Sequence, residues 1–341
     1  MPARRVPGSS GSGPADAAFS LAVITCTRDR PASLRRTLES FAAADRNGIA
    51  LRVVVVNNSA DCESDEAARS FQDRLPIRLV REERPGKCFA LNRGLLEVGE
   101  AEIIAIVDDD ITVDRQWFQG VRRITDRWPD QGYFAGSLFV VWPAGALPAW
   151  ARDPFMQSWG ISVMAVDRDR LIRPGRWALG GCFWFRARLL PAGYRFRETW
   201  LVEPPLMLDL AERGAGGVIA PDARAWHHIQ PGLLDIDVMR RRAALVGEAV
   251  GAARLIPYRS SVKQAALFHQ HPLLSRTGCC LNVVRWLGAL VLASCSYSRD
   301  KRIVRAFKSV ERIATNRQYL VSCRGAQEYR IRIPFSHSLS L

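Results

Sequence analysis

The chain runs to 341 residues with 48% hydrophobic side chains, enough to bury a substantial core and too apolar for a disordered protein. Its formal net charge of +14 is lopsided: residues 251–341 hold 15 Lys and Arg against 3 Asp and Glu, whereas residues 1–150 hold 19 against 20. The eight cysteines contain no Cys-x-x-Cys pair, which argues against a zinc site and for the reduced thiols of a cytosolic chain.

Residues 1–18 carry a Gly/Ser-rich run from Pro7 to Pro14 and read as a disordered tail. No apolar stretch of signal-peptide length follows Arg4 and Arg5, so no secretion signal is expected. Elements then alternate. Leu21–Cys26 is a short apolar strand, and Ala32–Ala44 sets Leu34, Leu38 and Phe41 at helical spacing. Arg52–Val56 is a β-branched strand, Ser64–Leu75 a polar helix, and Ile77–Val80 a third strand. Lys87–Val98 has the helical pattern Phe89, Leu91, Leu95, Leu96, and Glu102–Val107 is a fourth strand. Such alternation predicts an α/β fold with a mostly parallel sheet covered on both faces, its ligand beyond the carboxyl ends of the strands.

Residues 133–200 hold six of the ten tryptophans and read as short strands and loops. A strand over Gly217–Ala220 follows, with His227 and His228 beyond it and its turn, and the pattern turns helical again from about Met239. Leu281–Tyr297 is apolar and is followed by Lys301, Arg302, Arg305 and Lys308. Two readings stay open there: an interfacial helix with a basic flank, or a buried helix of the domain. The division expected is a globular domain over 19–235 and a basic, mainly helical extension over 236–341.

Asp108, Asp109 and Asp110 directly follow the fourth strand. Three adjacent carboxylates repel one another unless a cation joins them, and oxygen ligands on neighbouring positions suit a hard ion such as Mg²⁺ or Mn²⁺ that keeps positions open for phosphates. A solvated turn that caps the next helix is the plainer alternative. The first strand leads into Thr25-Cys26-Thr27-Arg28-Asp29-Arg30-Pro31, with neither Gly-x-Gly-x-x-Gly nor Gly-Lys-Ser/Thr. Dinucleotide-binding and P-loop chemistry are therefore disfavoured. A nucleotidyltransferase usually wants a Gly-rich loop at this place, and a receiver domain needs more acid there. Asn57 and Asn58 end the second strand, where they read a base or ribose or close an Asx turn.

The series Thr25-x-x-Arg28-x-Arg30-Pro31, Asn57-Asn58-Ser59, Gly86-Lys87-x-x-Ala90-x-Asn92-x-Gly94, Asp108-Asp109-Asp110 and Gly180-Gly181-Cys182-Phe183-Trp184-Phe185-Arg186 resembles the family 2 glycosyltransferases over residues 20–230. The resemblance implies the GT-A fold and inverting transfer of a sugar from a nucleotide-diphosphate donor to an acceptor hydroxyl, with Mg²⁺ or Mn²⁺. It implies donor contacts from Thr25, Arg28, Asn57, Asn58, Asp108, Asp109 and Gly181, with Asp110 and one of the two adjacent histidines, taken as His228, at the metal. Asn57 stands where the family usually has Asp. Counting back from Gly214 puts Glu203 at the family's catalytic base and Val202 at its preceding Glu, with Asp209 as the fallback. Glu203 opens the Pro204 helix beside apolar Trp200 and Leu201, a setting suited to accepting a proton.

Trp184 and Trp200 are candidates for stacking on an acceptor sugar, or are core. The acceptor is expected to be lipid-linked or a saccharide, with peripheral membrane contact through 281–308 at the inner face. The charge lies away from the site and has no nucleic-acid motif, so no nucleic acid is expected. The Asn57 and Val202 departures leave an inactive, donor-binding homologue as the alternative.

Overall fold

The computed structural model describes residues 19–154, 156–157, 161–172, 181–198, 201–253, 283–289, 301, 303–310 and 312–315. Strands β1 (Phe19–Thr27), β2 (Ile49–Asn57), β3 (Ile77–Arg81) and β4 (Ile103–Val107) form a parallel half-sheet in the order β3-β2-β1-β4. Helices α1 (Pro31–Ala43), α2 (Glu63–Arg69) and α3 (Lys87–Leu95) connect them. After β4 come β5 (Ile111–Val113), α4 (Trp117–Arg127), β6 (Gln131–Val141), β7 (Arg170–Ile172) and β8 (Cys182–Arg186). The remaining named elements are α5 (Glu203–Glu212), β9 (Gly216–His228) and α6 (Ile236–Ala253). The second half of the sheet is mixed: β8 runs antiparallel to β4 and β6, while β6 and β9 are parallel.

Strand periodicity divides the core into two layers. Val53, Val55, Ile103, Ala105 and Val107 face one side and pack with Leu34, Leu38 and Phe41 of α1 and Trp117, Phe118 and Val121 of α4. Val54, Val56, Ile104 and Ile106 face the other and pack with Ala90 and Leu91 of α3 and Leu206, Met207 and Leu210 of α5. The result is a helix–sheet–helix sandwich. The chain runs outward from β1 through β2 to β3, then returns to the opposite side of β1 as β4. Strand order therefore reverses between β1 and β4, where the carboxyl ends of neighbouring strands open a crevice.

Several boundaries differ from the sequence reading. Helix α2 stops at Arg69, six residues short of Leu75, because the Ser70 hydroxyl donates to the Ala67 carbonyl and the chain turns there. The acidic turn leads into β5, not directly into a helix. The strand expected over Gly217–Ala220 extends to His228, so both histidines are strand residues. Of Leu281–Tyr297, only 283–289 are described. They are helical, with Val284 and Leu287 exposed; the rest lies outside the described residues. No helix among the described residues is long and apolar enough to cross a membrane.

Candidate active site at the carboxyl ends of β1 and β4

The alternation that built the two layers continues past the end of β4 and sorts the three aspartates. Val107 faces α1 and α4, so Asp108 turns toward α3 and α5. There Lys87, the first residue of α3, brings Nζ to 2.7 Å from Asp108 Oδ1 and 3.7 Å from Glu203 Oε1. Glu203 is the first residue of α5 and is buried. A carboxylate suits the positive start of a helix and an ammonium does not, so Lys87 is held by its two acids against the dipole of α3. Burial pulls the Lys87 pKa down, but the charges of Asp108 and Glu203 outweigh it and raise it above the ordinary lysine value.

Asp109 turns to the opposite side and is fully buried. Its Oδ2 accepts from Thr27 Oγ1 at 2.7 Å, its Oδ1 lies 2.8 Å from Arg30 Nη2, and its carbonyl accepts from Thr37 Oγ1 at 2.9 Å. Burial, reinforced by the charges of Asp110 and Asp108 and opposed by Arg30 and Thr27, pushes the Asp109 carboxyl up to about 7. Asp109 therefore ties the end of β1 and the start of α1 to the end of β4. Asp110 accepts from Arg30 Nη1 at 3.0 Å and faces His227 Nε2 at 3.7 Å. Burial raises its pKa, yet His227, Arg30 and Lys87 together hold it below the ordinary carboxylate range.

Neighbouring strand residues point to opposite faces, so only one of the two histidines can meet the acids. It is His227, in place of His228. His227 Nδ1 lies 2.8 Å from the Ile161 carbonyl, which can only accept, so Nδ1 carries a proton and Nε2 is the ring nitrogen that faces Asp110. His228 Nε2 instead pairs with Thr112 Oγ1 at 2.8 Å on the other face, and only its backbone N–H reaches the Asp110 carbonyl. Burial, with the nearby charge of Arg36, lowers the His228 pKa.

The other expected donor residues divide. Gly181 sits beside Asp108: its carbonyl accepts from the Asp108 N–H at 2.7 Å, and its φ of +95° is the left-handed region. A Cβ there would come within 2.8 Å of Ile111 Cδ1 and 3.3 Å of Asp108 Oδ2, so only glycine fits. Thr25 lies inside β1, fully buried, so it is not the nucleotide-facing loop residue expected. Arg28 points outward beside Asp29, more than half exposed, and the inward guanidinium at this strand end belongs to Arg30.

Asn57 closes an Asx turn instead of facing a base. Its Nδ2 donates to the Asp61 carbonyl and to Asp65 Oδ1, and its Oδ1 accepts from the Ser59 N–H and hydroxyl, which uses all four of its hydrogen-bonding positions. Asn58 Nδ2 donates to the carbonyls of Glu82 and Arg84 at 2.7 Å, and its Oδ1 accepts from the Gly86 N–H at 2.8 Å. Asn58 thus fixes the loop that delivers Lys87. Trp184 is fully buried between Trp117 and Phe134, its Nε1 donating to Thr125 Oγ1 at 3.0 Å. It is core and offers no face to an acceptor. Trp200 lies outside the described residues. Asp209, the fallback base, pairs with Arg197 at 2.7 Å.

Sequence reasoning gave no role to Lys87, Arg30 or Arg242. Lys87 stood in the quoted Gly86-Lys87 pair and Arg30 in the same loop as Arg28, and alternation past the strand end is the signal that separates them. Arg242, on α6, is felt by Asp110, Asp108 and Glu203, while burial lowers its own pKa. Nothing in the local pattern of α6 marks it out.

Among the described residues, no three His, Cys, Asp or Glu side chains converge as a cage for a metal ion. The donor set at hand is smaller: the Asp108 and Asp110 carboxylates, with His227 Nε2 facing Asp110. A Mg²⁺-type ion that takes one or two carboxylates and completes its shell with phosphates and water fits that set.

Residues 22–136 match the family model described as glycosyl transferase family 2. A glucosyl-dolichyl phosphate glucuronosyltransferase from Haloferax volcanii is 27% identical over 126 residues, which are 37% of this chain and 39% of that protein. The match thus spans less than half of the relative's length. The solved structure of the mannosyltransferase PcManGT from Pyrobaculum calidifontis, in complex with GDP-Man and Mn²⁺, aligns at 19% identity over 94% of this chain and 91% of its own, with a TM-score of 0.53. TarS residues 1–349 from S. aureus, in complex with UDP-GlcNAc, align at 11% identity over 90% and 92% with a TM-score of 0.46. The architecture is the GT-A fold. Residues 22–136, which carry the β1 end, Lys87 and the three aspartates, are thus similar to glycosyl transferase family 2.

Proposed function

We propose that the chain transfers a glycosyl group, with inversion, from a nucleotide-diphosphate sugar held over the ends of β1 and β4 to an acceptor hydroxyl. Glu203 takes the hydroxyl proton. The acceptor oxygen bonds to the anomeric carbon as the bond from that carbon to the diphosphate breaks, and the nucleoside diphosphate leaves with its electron pair. The observation that carries this reading is the Lys87 ammonium, which joins Asp108 to the otherwise remote Glu203. On donor binding Lys87 exchanges its Asp108 contact for phosphate oxygens and offsets charge on the leaving group. Asp108, Asp110 and His227 would hold a divalent ion, which when bound supplies further neutralisation of the diphosphate.

The Haloferax relative's action on a glucosyl-dolichyl phosphate supports a lipid-linked acceptor, and the GDP-Man and Mn²⁺ held by the Pyrobaculum neighbour support a nucleotide-sugar donor with a divalent ion. Contact with a membrane is peripheral in this reading, through the basic segment after residue 283. The test is a panel of UDP- and GDP-sugars assayed for nucleoside diphosphate release, with and without Mg²⁺ or Mn²⁺, on the wild type and Asp110→Asn. One donor turned over in a metal-dependent way by the wild type, and not by the variant, supports the reading. Tight donor binding without turnover under any condition would leave a donor-binding homologue that does not transfer.

A further inference from the structure

Asn92 lies on α3, five residues after Lys87, and its amide engages one residue of a remote segment. Nδ2 donates to the Phe196 carbonyl at 3.0 Å, and Oδ1 accepts from the Phe196 N–H at 2.6 Å. Phe196 belongs to no helix or strand, so Asn92 supplies the pair of bonds that a neighbouring strand would otherwise supply. Neither backbone group of Phe196 has another hydrogen-bond partner among the described residues. Phe196 is 3% exposed, and buried backbone groups are costly to leave unpaired. The pairing therefore holds residues 194–197 against α3.

The same segment is fastened on its other side to α5. Arg197 Nη2 lies 2.7 Å from Asp209 Oδ1, and the Tyr194 hydroxyl donates to Asp209 Oδ2 at 3.4 Å. Asn92, Phe196, Arg197 and Asp209 thus form a crosspiece between α3 and α5, the two helices whose first residues are Lys87 and Glu203. At the rise of an α-helix, Asn92 stands about 8 Å along α3 from Lys87, and Asp209 about 9 Å along α5 from Glu203. Helix α3 is the fixed end. A Cβ on Gly94 would come 2.7 Å from Ile24 Cγ2, so the helix is pressed against β1, and Asn58 holds its start through the Gly86 N–H.

We propose that Asn92 is a positioning residue for the transfer: through this crosspiece it sets how close Glu203 stands to the Lys87 ammonium, and so to the donor. The proposal rests on the roles given above to Lys87 and Glu203. The ion pair does not hold that distance by itself, since Lys87 lies 3.7 Å from Glu203 but 2.7 Å from Asp108. Once Lys87 turns to donor phosphates, the place of the Glu203 carboxylate depends on how the two helices are joined. Cys88 and Leu91 of α3 share an apolar cluster with Val202 and Leu206 beside Glu203, but apolar contact is non-directional. Two hydrogen bonds to one peptide unit fix a register. A misplacement of about 1 Å at a reacting group costs on the order of 100-fold in rate.

The experiment has one arm without donor and one kinetic arm. In crystal structures of the wild type and of Asn92→Ala, the Lys87–Glu203 separation should be longer in the variant by about 1 Å, with Lys87 still on Asp108. In nucleoside diphosphate release from a nucleotide sugar that the wild type turns over, Asn92→Ala should lower kcat about 10- to 100-fold and leave the donor KM within about twofold. Asn92→Asp keeps the acceptor for the Phe196 N–H and should fall between the two. Adding Asn92→Ala to Glu203→Gln should change the residual rate by less than about twofold, because no base is left to misplace. A merely structural Asn92 would lower the rate equally in both backgrounds; that result, or an unchanged separation, overturns the proposal. Arg197→Ala, at the exposed end of the crosspiece, repeats both arms if Asn92→Ala does not fold. Wild-type turnover in Glu203→Gln would remove the base assignment and this proposal with it. Lost turnover there, beside full turnover in Asn92→Ala, would remove this proposal alone.

Discussion

The Lys87 ammonium lies 3.7 Å from the Glu203 carboxylate, although the two residues open different helices on different parts of the chain. Asp108, 2.7 Å from the same nitrogen, completes the group. Lysine at the first position of a helix is locally unfavourable, by about 0.3–1 kcal/mol, so the contact with two acids is what makes Lys87 worth having there. Replacing it with Met removes the cation that faces the leaving group. Turnover of the donor in Lys87→Met should fall about 100-fold, and Lys87→Arg should recover part of it. Steady-state kinetics on the two variants checks this, and equal activity in Lys87→Met would detach Lys87 from the chemistry.

Trp184 tests the boundary between core and site. It is buried between Trp117 and Phe134 with its indole N–H satisfied. Trp184→Ala should therefore cost about 3–5 kcal/mol of stability through the cavity it leaves, read by urea unfolding. The variant's KM for an acceptor should stay within about twofold of wild type at a temperature where it is folded, since a core residue makes no contact that uniform binding would lose. A raised KM with unchanged stability would restore Trp184 to the acceptor side.

Glu97 gives a pH test away from the site. It receives hydrogen bonds from Arg78 and Arg93, which hold its carboxyl below the ordinary value of 4.5 against the effect of burial. A folded-state pKa below the unfolded one contributes stability that is present above the unfolded value and is lost as pH falls through the folded value. Glu97→Gln should thus cost about 1 kcal/mol at pH 7, and the gap to wild type should close as pH falls below 4.5. Unfolding curves at neutral and acid pH measure it; a gap that does not change with pH would contradict the assignment.

Much of the frame was legible in the sequence. The apolar runs at β1, β2 and β4 and the 3.6-residue spacing of Leu34, Leu38 and Phe41 follow from burial on sheet faces and helix stripes, and the structure keeps them within a few residues. The acidic turn after β4 was also legible, since a buried strand that ends in three carboxylates is rare without a reason. What the sequence concealed were pairings across long separations. Arg30 to Asp109 and Lys87 to Glu203 leave no periodic trace, and the choice between His227 and His228 depends on a strand register that extends beyond Ala220. Asn57 and Asn58 misled because an amide that organises a loop has the same composition as one that reads a base.

The most direct test of the central claim is the pair of measurements on Glu203→Gln: donor affinity and the rate of glycosyl transfer in a single turnover. Glutamine keeps the size of the side chain and its hydrogen-bonding reach but cannot take the acceptor proton. Transfer should fall by about 10²–10⁴-fold while donor affinity stays within about threefold. Transfer at the wild-type rate in Glu203→Gln would contradict it.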